Sequence, residues 1–98
     1  MVQKVIFSNR AKIAMRHTVS YLEEYASTAT AERFVDKIYE TVDKIWLNPD
    51  IGRPSQVDEN VRFTKIDDKR LVFFEFDMSE LVIVDIWDMR QDPKKRKY

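Results

Sequence analysis

Ninety-eight residues, 44% of them apolar and including six Phe, four Tyr and two Trp, suffice for one domain with a real core, burying roughly two-thirds of the surface of the unfolded chain. Cysteine is absent and histidine occurs once, which excludes a disulfide framework, a thiol nucleophile and a multi-histidine metal centre. The formal net charge of zero argues against a protein that grips phosphate backbones over a wide area, because such proteins carry a strong positive excess.

The charge is unevenly placed. Between Ser20 and Asn60, Glu23, Glu24, Glu32, Asp36, Glu40, Asp43, Asp50, Asp58 and Glu59 outnumber Arg33, Lys37, Lys44 and Arg53. From Arg90 onward, Lys94, Lys95, Arg96 and Lys97 add to that arginine and only Asp92 opposes them. The single glycine, Gly52, excludes a glycine-rich phosphate loop. No segment resembles a signal peptide and no apolar run approaches the roughly 20 residues needed to span a bilayer, so a soluble cytoplasmic protein without a membrane role is expected. No cofactor is expected. Residues 1–98 read as a single domain whose last six residues, 93–98, form a basic tail.

In chain order, "VQKVIFS" (Val2 to Ser8) is short and rich in β-branched and aromatic residues, which predicts a strand. Ser8 or Asn9 then caps a helix, on which Ala11, Met15, Thr18, Leu22 and Tyr25, widened by Ala14 and Val19, form one apolar stripe. After "ASTATA", with Thr28 or Thr30 as the next cap, Ala31, Phe34, Val35, Ile38, Val42, Ile45 and Trp46 form a second stripe. Asn48-Pro49 ends that helix, since the residue before a proline is pushed out of the α region. The short connection makes the two helices antiparallel neighbours.

"NPDIGRPSQVDEN" reads as a loop. Three strands follow: "VRFTKI" (Val61 to Ile66), "RLVFFEF" (Arg70 to Phe76) and "LVIVDIWD" (Leu81 to Asp88), joined by the polar turns Asp67-Asp68-Lys69 and Asp77-Met78-Ser79-Glu80 as antiparallel hairpins. The last strand is apolar at nearly every position, which places it centrally in the sheet. Alternation puts Val82, Val84 and Ile86 on one face and Ile83, Asp85 and Trp87 on the other. An unpaired carboxylate at Asp85 would be costly there, so a cross-sheet partner is expected, with Arg62 and Arg70 as candidates. The fold class is α+β, in the order β-α-α-β-β-β: an antiparallel helical hairpin packed on a mostly antiparallel four-stranded sheet.

That element order, "NPDIGRP" after the second helix, "RLVFFEF" and above all "IVDIWDMRQDP" together resemble the RelE/ParE superfamily over nearly the whole chain. These are toxins of type II toxin–antitoxin (plasmid stabilisation) modules, and the ParE-like branch is favoured. The resemblance implies growth inhibition, a cognate antitoxin as partner, and a homodimer or toxin–antitoxin hetero-oligomer. ParE-like members poison DNA gyrase. RelE-like members are ribosome-dependent RNases that cut mRNA, and the corresponding catalytic residues here are Arg70 and Arg90 at the phosphate, with Lys65 and Tyr98 less securely matched. The catalytic tyrosine position of the RelE pattern falls near Arg96.

Cleavage through a ribose 2′-hydroxyl needs a proton acceptor and a proton donor as well as cations, and no acid/base pair is evident in the chain. Together with the neutral net charge, this favours the gyrase-directed reading over the ribonuclease. In that reading Arg90, Trp87, Lys94, Lys95 and Arg96 are the target-binding residues. A third possibility is an inactive relative that only binds an antitoxin-like partner. Simpler roles stand beside each assignment: an exposed ion pair of Arg90 with Asp88 or Asp92, a core position for Trp87, a solvated end for the tail. An antitoxin segment lying across the sheet and hairpin further implies an apolar strip left exposed on the free toxin.

Overall fold

The computed structural model describes residues 4–77 and 79–98. Val2 and Gln3 of the first predicted strand, and Met78 of the last predicted turn, lie outside the described residues. The elements are β1 (Lys4–Phe7), α1 (Asn9–Tyr25), α2 (Thr28–Leu47), a 3-10 turn (Pro49–Ile51), β2 (Arg53–Pro54), β3 (Arg62–Lys65), β4 (Arg70–Asp77), β5 (Glu80–Asp88) and a second 3-10 turn (Pro93–Lys95). The sheet has five strands in the order β1-β5-β4-β3-β2. β1 runs parallel to β5, and the other pairs are antiparallel. The four expected strands are all present. The fifth, β2, is a two-residue edge segment inside the stretch read as loop, where Pro54 lacks a donor and is tolerated only at an edge.

Each helix starts on a serine. Ser8 Oγ accepts the Ala11 N–H at 3.1 Å, and Ser27 Oγ accepts the Thr30 N–H at 3.0 Å. The second cap is therefore Ser27 rather than Thr28 or Thr30, and the Thr30 hydroxyl instead pairs with the Ser27 hydroxyl. Along α2 most of the expected stripe is buried, with Ala31, Phe34, Ile38, Val42 and Ile45 in the core, while Val35 and Trp46 are half-buried. Along α1, Ala11 and Leu22 are buried, but Tyr25 is 70% exposed and stacks beside Tyr21 with centroids 5.0 Å apart. It stands in the helix's last turn, turned away from the sheet.

The sheet separates two apolar clusters. Ile66, Val72, Phe74, Leu81, Ile83 and Ile86 meet the helices. Val61, Leu71, Phe73, Val84 and Trp87 lie on the opposite, open face, joined by Phe63, Val82 and Tyr98. Each large side chain so buried stabilises the fold by roughly 1.5–3 kcal/mol.

Strict alternation along β5 fails at one point. Phe73 faces Asp85 and Phe74 faces Ile83, leaving Val84 as an extra residue, a β-bulge. The bulge shifts the side-chain phase, so Ile86 joins the helix side and Trp87 the open face, contrary to the expected grouping of Ile83 with Trp87. The carbonyl of the bulged Val84 accepts the Ser8 hydroxyl at 2.9 Å, so one side chain caps α1 and satisfies the bulge. Gly52 is buried, and a Cβ there would stand 2.6 Å from the Phe74 ring and 3.0 Å from Arg62 Cβ. Only a bare backbone fits that approach.

Candidate functional site

The end of the sheet where β4 begins and β5 finishes gathers most of the candidate residues, but on different sides. Across the open face, Lys65 pairs with Leu71 and Leu71 with Trp87, which sets these three side chains in one row over β3, β4 and β5. The next row holds Phe63 and Phe73, with ring centroids 5.5 Å apart. Lys65 is exposed at this face and Trp87 is buried in it.

After β5 the chain turns back. The Met89 N–H reaches the Lys69 carbonyl at 2.7 Å, and Asp92 caps the second 3-10 turn by accepting the Lys94 N–H at 3.0 Å. Lys94 and Lys95 on that turn are exposed. Arg96 then lies over Phe63 and Phe73, and the Tyr98 ring stacks on Phe73. The open face thus collects Lys65, Trp87, Arg96 and Tyr98. Phe73 is fully buried on this face beneath the tail, whereas α1 of the helical hairpin carries exposed apolar side chains at Ile13, Tyr21 and Tyr25.

Arg70 sits on the other side. Leu71 and Phe73 face outward, so Arg70, Val72 and Phe74 face the helices. Its guanidinium lies 5.0 Å from the centre of the Phe34 ring on α2 and holds Asp67 Oδ2 through Nη1 at 3.2 Å. Its Nε is buried and has no hydrogen-bond partner among the described residues. Contact with the ring face compensates part of that cost.

On the α1 side of Arg70 opens a cleft of about 590 Å³, bordered by Arg10, His17, Asp85, Trp87 and Asp88 among others. Asp85 is paired here, though not with Arg62 or Arg70 as expected. Its Oδ2 accepts Arg10 Nε at 3.0 Å, and its Oδ1 accepts the Ile86 N–H at 2.8 Å. The first turn of α1, brought over β5 by the β1 pairing, outcompetes cross-strand candidates from β3 and β4. His17 is exposed at the cleft margin.

Arg90 stands just past β5 with its side chain 54% exposed, and Asp88 grips it twice, Nε to Oδ1 at 3.0 Å and Nη2 to Oδ2 at 2.6 Å. Of the two partners considered for it, Asp88 rather than Asp92 makes the pair. That hydrogen bonding holds the Asp88 carboxyl below its ordinary value, against a smaller opposing effect of burial, and pushes the Arg90 guanidinium further up. Asp88 is also the ladder neighbour of Arg70, so one carboxylate stands between the two arginines.

The structure therefore joins Lys65, Trp87, Arg96 and Tyr98 on the open face, puts Arg90, Lys94 and Lys95 on the exposed segment after β5, and leaves Arg70 under the helices. The Arg10–Asp85 pair, which sequence reasoning missed, is separated by 75 positions and carries no local signal. No group of three or more side chains able to hold a metal ion occurs among the described residues, and no described helix is long and apolar enough to cross a membrane.

A family model described as the ParE toxin of type II toxin-antitoxin systems (parDE) matches residues 5–93. Among solved structures, the chain is similar to one from the chromosomal ParDE system of P. aeruginosa, with a TM-score of 0.78 and 20% identity over 92% of this chain and 98% of that one. A YoeB/ParE toxin from Agrobacterium tumefaciens superimposes with a TM-score of 0.65 at 12% identity, covering 88% and 98% of the two chains. The YoeB dimer of Staphylococcus aureus gives a TM-score of 0.60 at 15% identity, over 87% and 94%. At these identities the likenesses speak for the fold alone. No curated protein sequence matches the chain.

Proposed function

We propose that this chain, which belongs to the ParE family of toxins of type II toxin–antitoxin systems, arrests growth by poisoning DNA gyrase, performs no RNA chemistry of its own, and is silenced by a cognate antitoxin. The observation that carries this reading is the division of the would-be ribonuclease set. Arg70 lies beneath α2 with Asp67 and Phe34, whereas Lys65 and Tyr98 belong to the opposite face of the sheet. A phosphate held by Arg70 would not meet either of them. General acid–base cleavage requires donor and acceptor within hydrogen-bond reach of the same phosphodiester.

What remains together suits binding. Arg90 is fixed by its carboxylate partner on a strand end, and Lys94 and Lys95 follow it on an exposed, capped turn. For the antitoxin, α1 offers Ile13, His17, Tyr21 and Tyr25 on one exposed side at four-residue spacing, next to the 590 Å³ cleft. An amphipathic segment reading such positions is a recurrent mode of recognition. Induced expression with DNA and RNA readouts side by side tests the proposal. An SOS response with stalled gyrase is the expected outcome. Rapid loss of translation with mRNA cut within codons would replace it with the ribonuclease, and unaffected growth with an inactive antitoxin-binding relative.

A further inference from the structure

The open face of the sheet is occupied by residues 96–98, which follow the second 3-10 turn. The Arg96 guanidinium lies 5.8 Å from the Phe63 ring centre and 5.2 Å from that of Phe73. The Tyr98 ring stacks on Phe73 at 5.8 Å and 34°, and Lys97 Nζ sits 5.3 Å from the Tyr98 ring. One polar latch closes the arrangement: Ser55 Oγ donates to the main-chain oxygen of Tyr98 at 2.6 Å.

Three features distinguish this segment from an additional piece of the core. Among the described residues, no backbone hydrogen bond ties residues 96–98 to a strand; the only one they make is local, from the Arg96 N–H to the Pro93 carbonyl. The four consecutive cations Lys94, Lys95, Arg96 and Lys97 have no carboxylate partner among the described residues, so no ion pair anchors them. The segment hangs from a short 3-10 turn capped by Asp92, a joint at which backbone rotation moves everything beyond it. Contacts of the cation–ring and ring–ring type are individually weak, so their sum is a hold that opens locally without unfolding the sheet.

We infer that Arg96–Tyr98 is a reversible strap, latched by Ser55, which closes the Phe63–Phe73 aromatic pair of the cluster that also holds Trp87 and presents that face only when it lifts. The inference rests on the geometry of the tail and does not depend on which target the toxin attacks.

The strap is tested in the full chain with Trp46→Phe, so that Trp87 alone reports by fluorescence. The double variant Arg96→Ser/Tyr98→Ser removes the ring contacts. Acrylamide quenching of Trp87 is expected to rise severalfold with the far-UV helix signal intact, and a free peptide of sequence KKRKY added in trans is expected to restore protection. The peptide with serine in place of its arginine and tyrosine should not. Unchanged quenching in the double variant, or a rise that the free peptide does not reverse, overturns the strap. If the double variant fails to fold, Ser55→Ala decides: a smaller rise in quenching with an intact helix signal upholds the strap, and no rise overturns it.

Discussion

Replacing Arg10 with alanine strips the Asp85 carboxylate of its charge partner while leaving the Ile86 N–H in place. Breaking a fully buried pair from one side costs about 3–5 kcal/mol, whereas exposed pairs are worth about 0–1 kcal/mol. This pair lies between those limits, since the Asp85 side chain is 5% exposed and that of Arg10 46%. Water reaches the arginine side and screens it, and the remaining backbone donor softens the loss, which puts the cost at about 2 kcal/mol. For a domain of this length that lowers Tm by roughly 8–16 °C.

Urea unfolding of the wild type, Arg10→Ala, Asp85→Asn and the double variant measures it. Because the neutral amide no longer needs a cation, Arg10→Ala should cost far less in the Asp85→Asn background, giving a coupling of about 1 kcal/mol or more. Additive single-variant effects, or an Arg10→Ala cost below about 0.5 kcal/mol, would refute the claim that this pair fixes α1 to the bulged strand.

Three further outcomes follow from the same contacts. Ser8→Ala removes the cap of α1 and the hydroxyl that donates to the Val84 carbonyl at the bulge. It should cost about 1–3 kcal/mol by urea unfolding, whereas Ser8→Thr, which keeps a hydroxyl, should cost clearly less. Gly52→Ala drives a methyl into the Phe74 ring and should destabilise by about 1–3 kcal/mol in thermal unfolding. Since Arg90 lowers the folded-state value of Asp88, this carboxylate contributes stability that is present above its ordinary value of 3.8 and lost as pH falls through the lower folded value. An NMR titration of Asp88 should move upward in Arg90→Ala, and the same variant should fold normally yet lose toxicity. An unmoved titration removes the pair, and full toxicity removes Arg90 from the target-binding surface.

The helices were legible because their apolar stripes repeat at the helical period, as the run from Ala31 to Ile45 does, and because Pro49 stops the second one. Strands β3 to β5 were legible from β-branched and aromatic runs separated by short polar turns. What escaped was mostly non-local. Alternation along β5 cannot announce that Val84 is inserted, since the bulge exists only against the register of β4. Arg10 reads as an ordinary helix-surface cation until the parallel pairing of β1 lays α1 across β5. Strand β2 has only two residues, one of them Pro54, and so does not differ from a loop in sequence.

The tail is the instructive case. A run of four cations has the composition of a solvated end, and its docking depends on Phe63 and Phe73, which reached the open face by strand parity rather than by any motif. Arg70 fits a motif position, yet the same parity that exposes Lys65 turns Arg70 inward, toward Phe34.

Incubating the purified chain with DNA gyrase, ATP and relaxed plasmid, and in parallel with programmed ribosomes, addresses the mode of action most directly. Accumulation of gyrase-cleaved plasmid, reduced by Arg90→Ala, with the mRNA left intact is the expected result. Codon-specific cuts in the mRNA, with gyrase supercoiling normally, would contradict it.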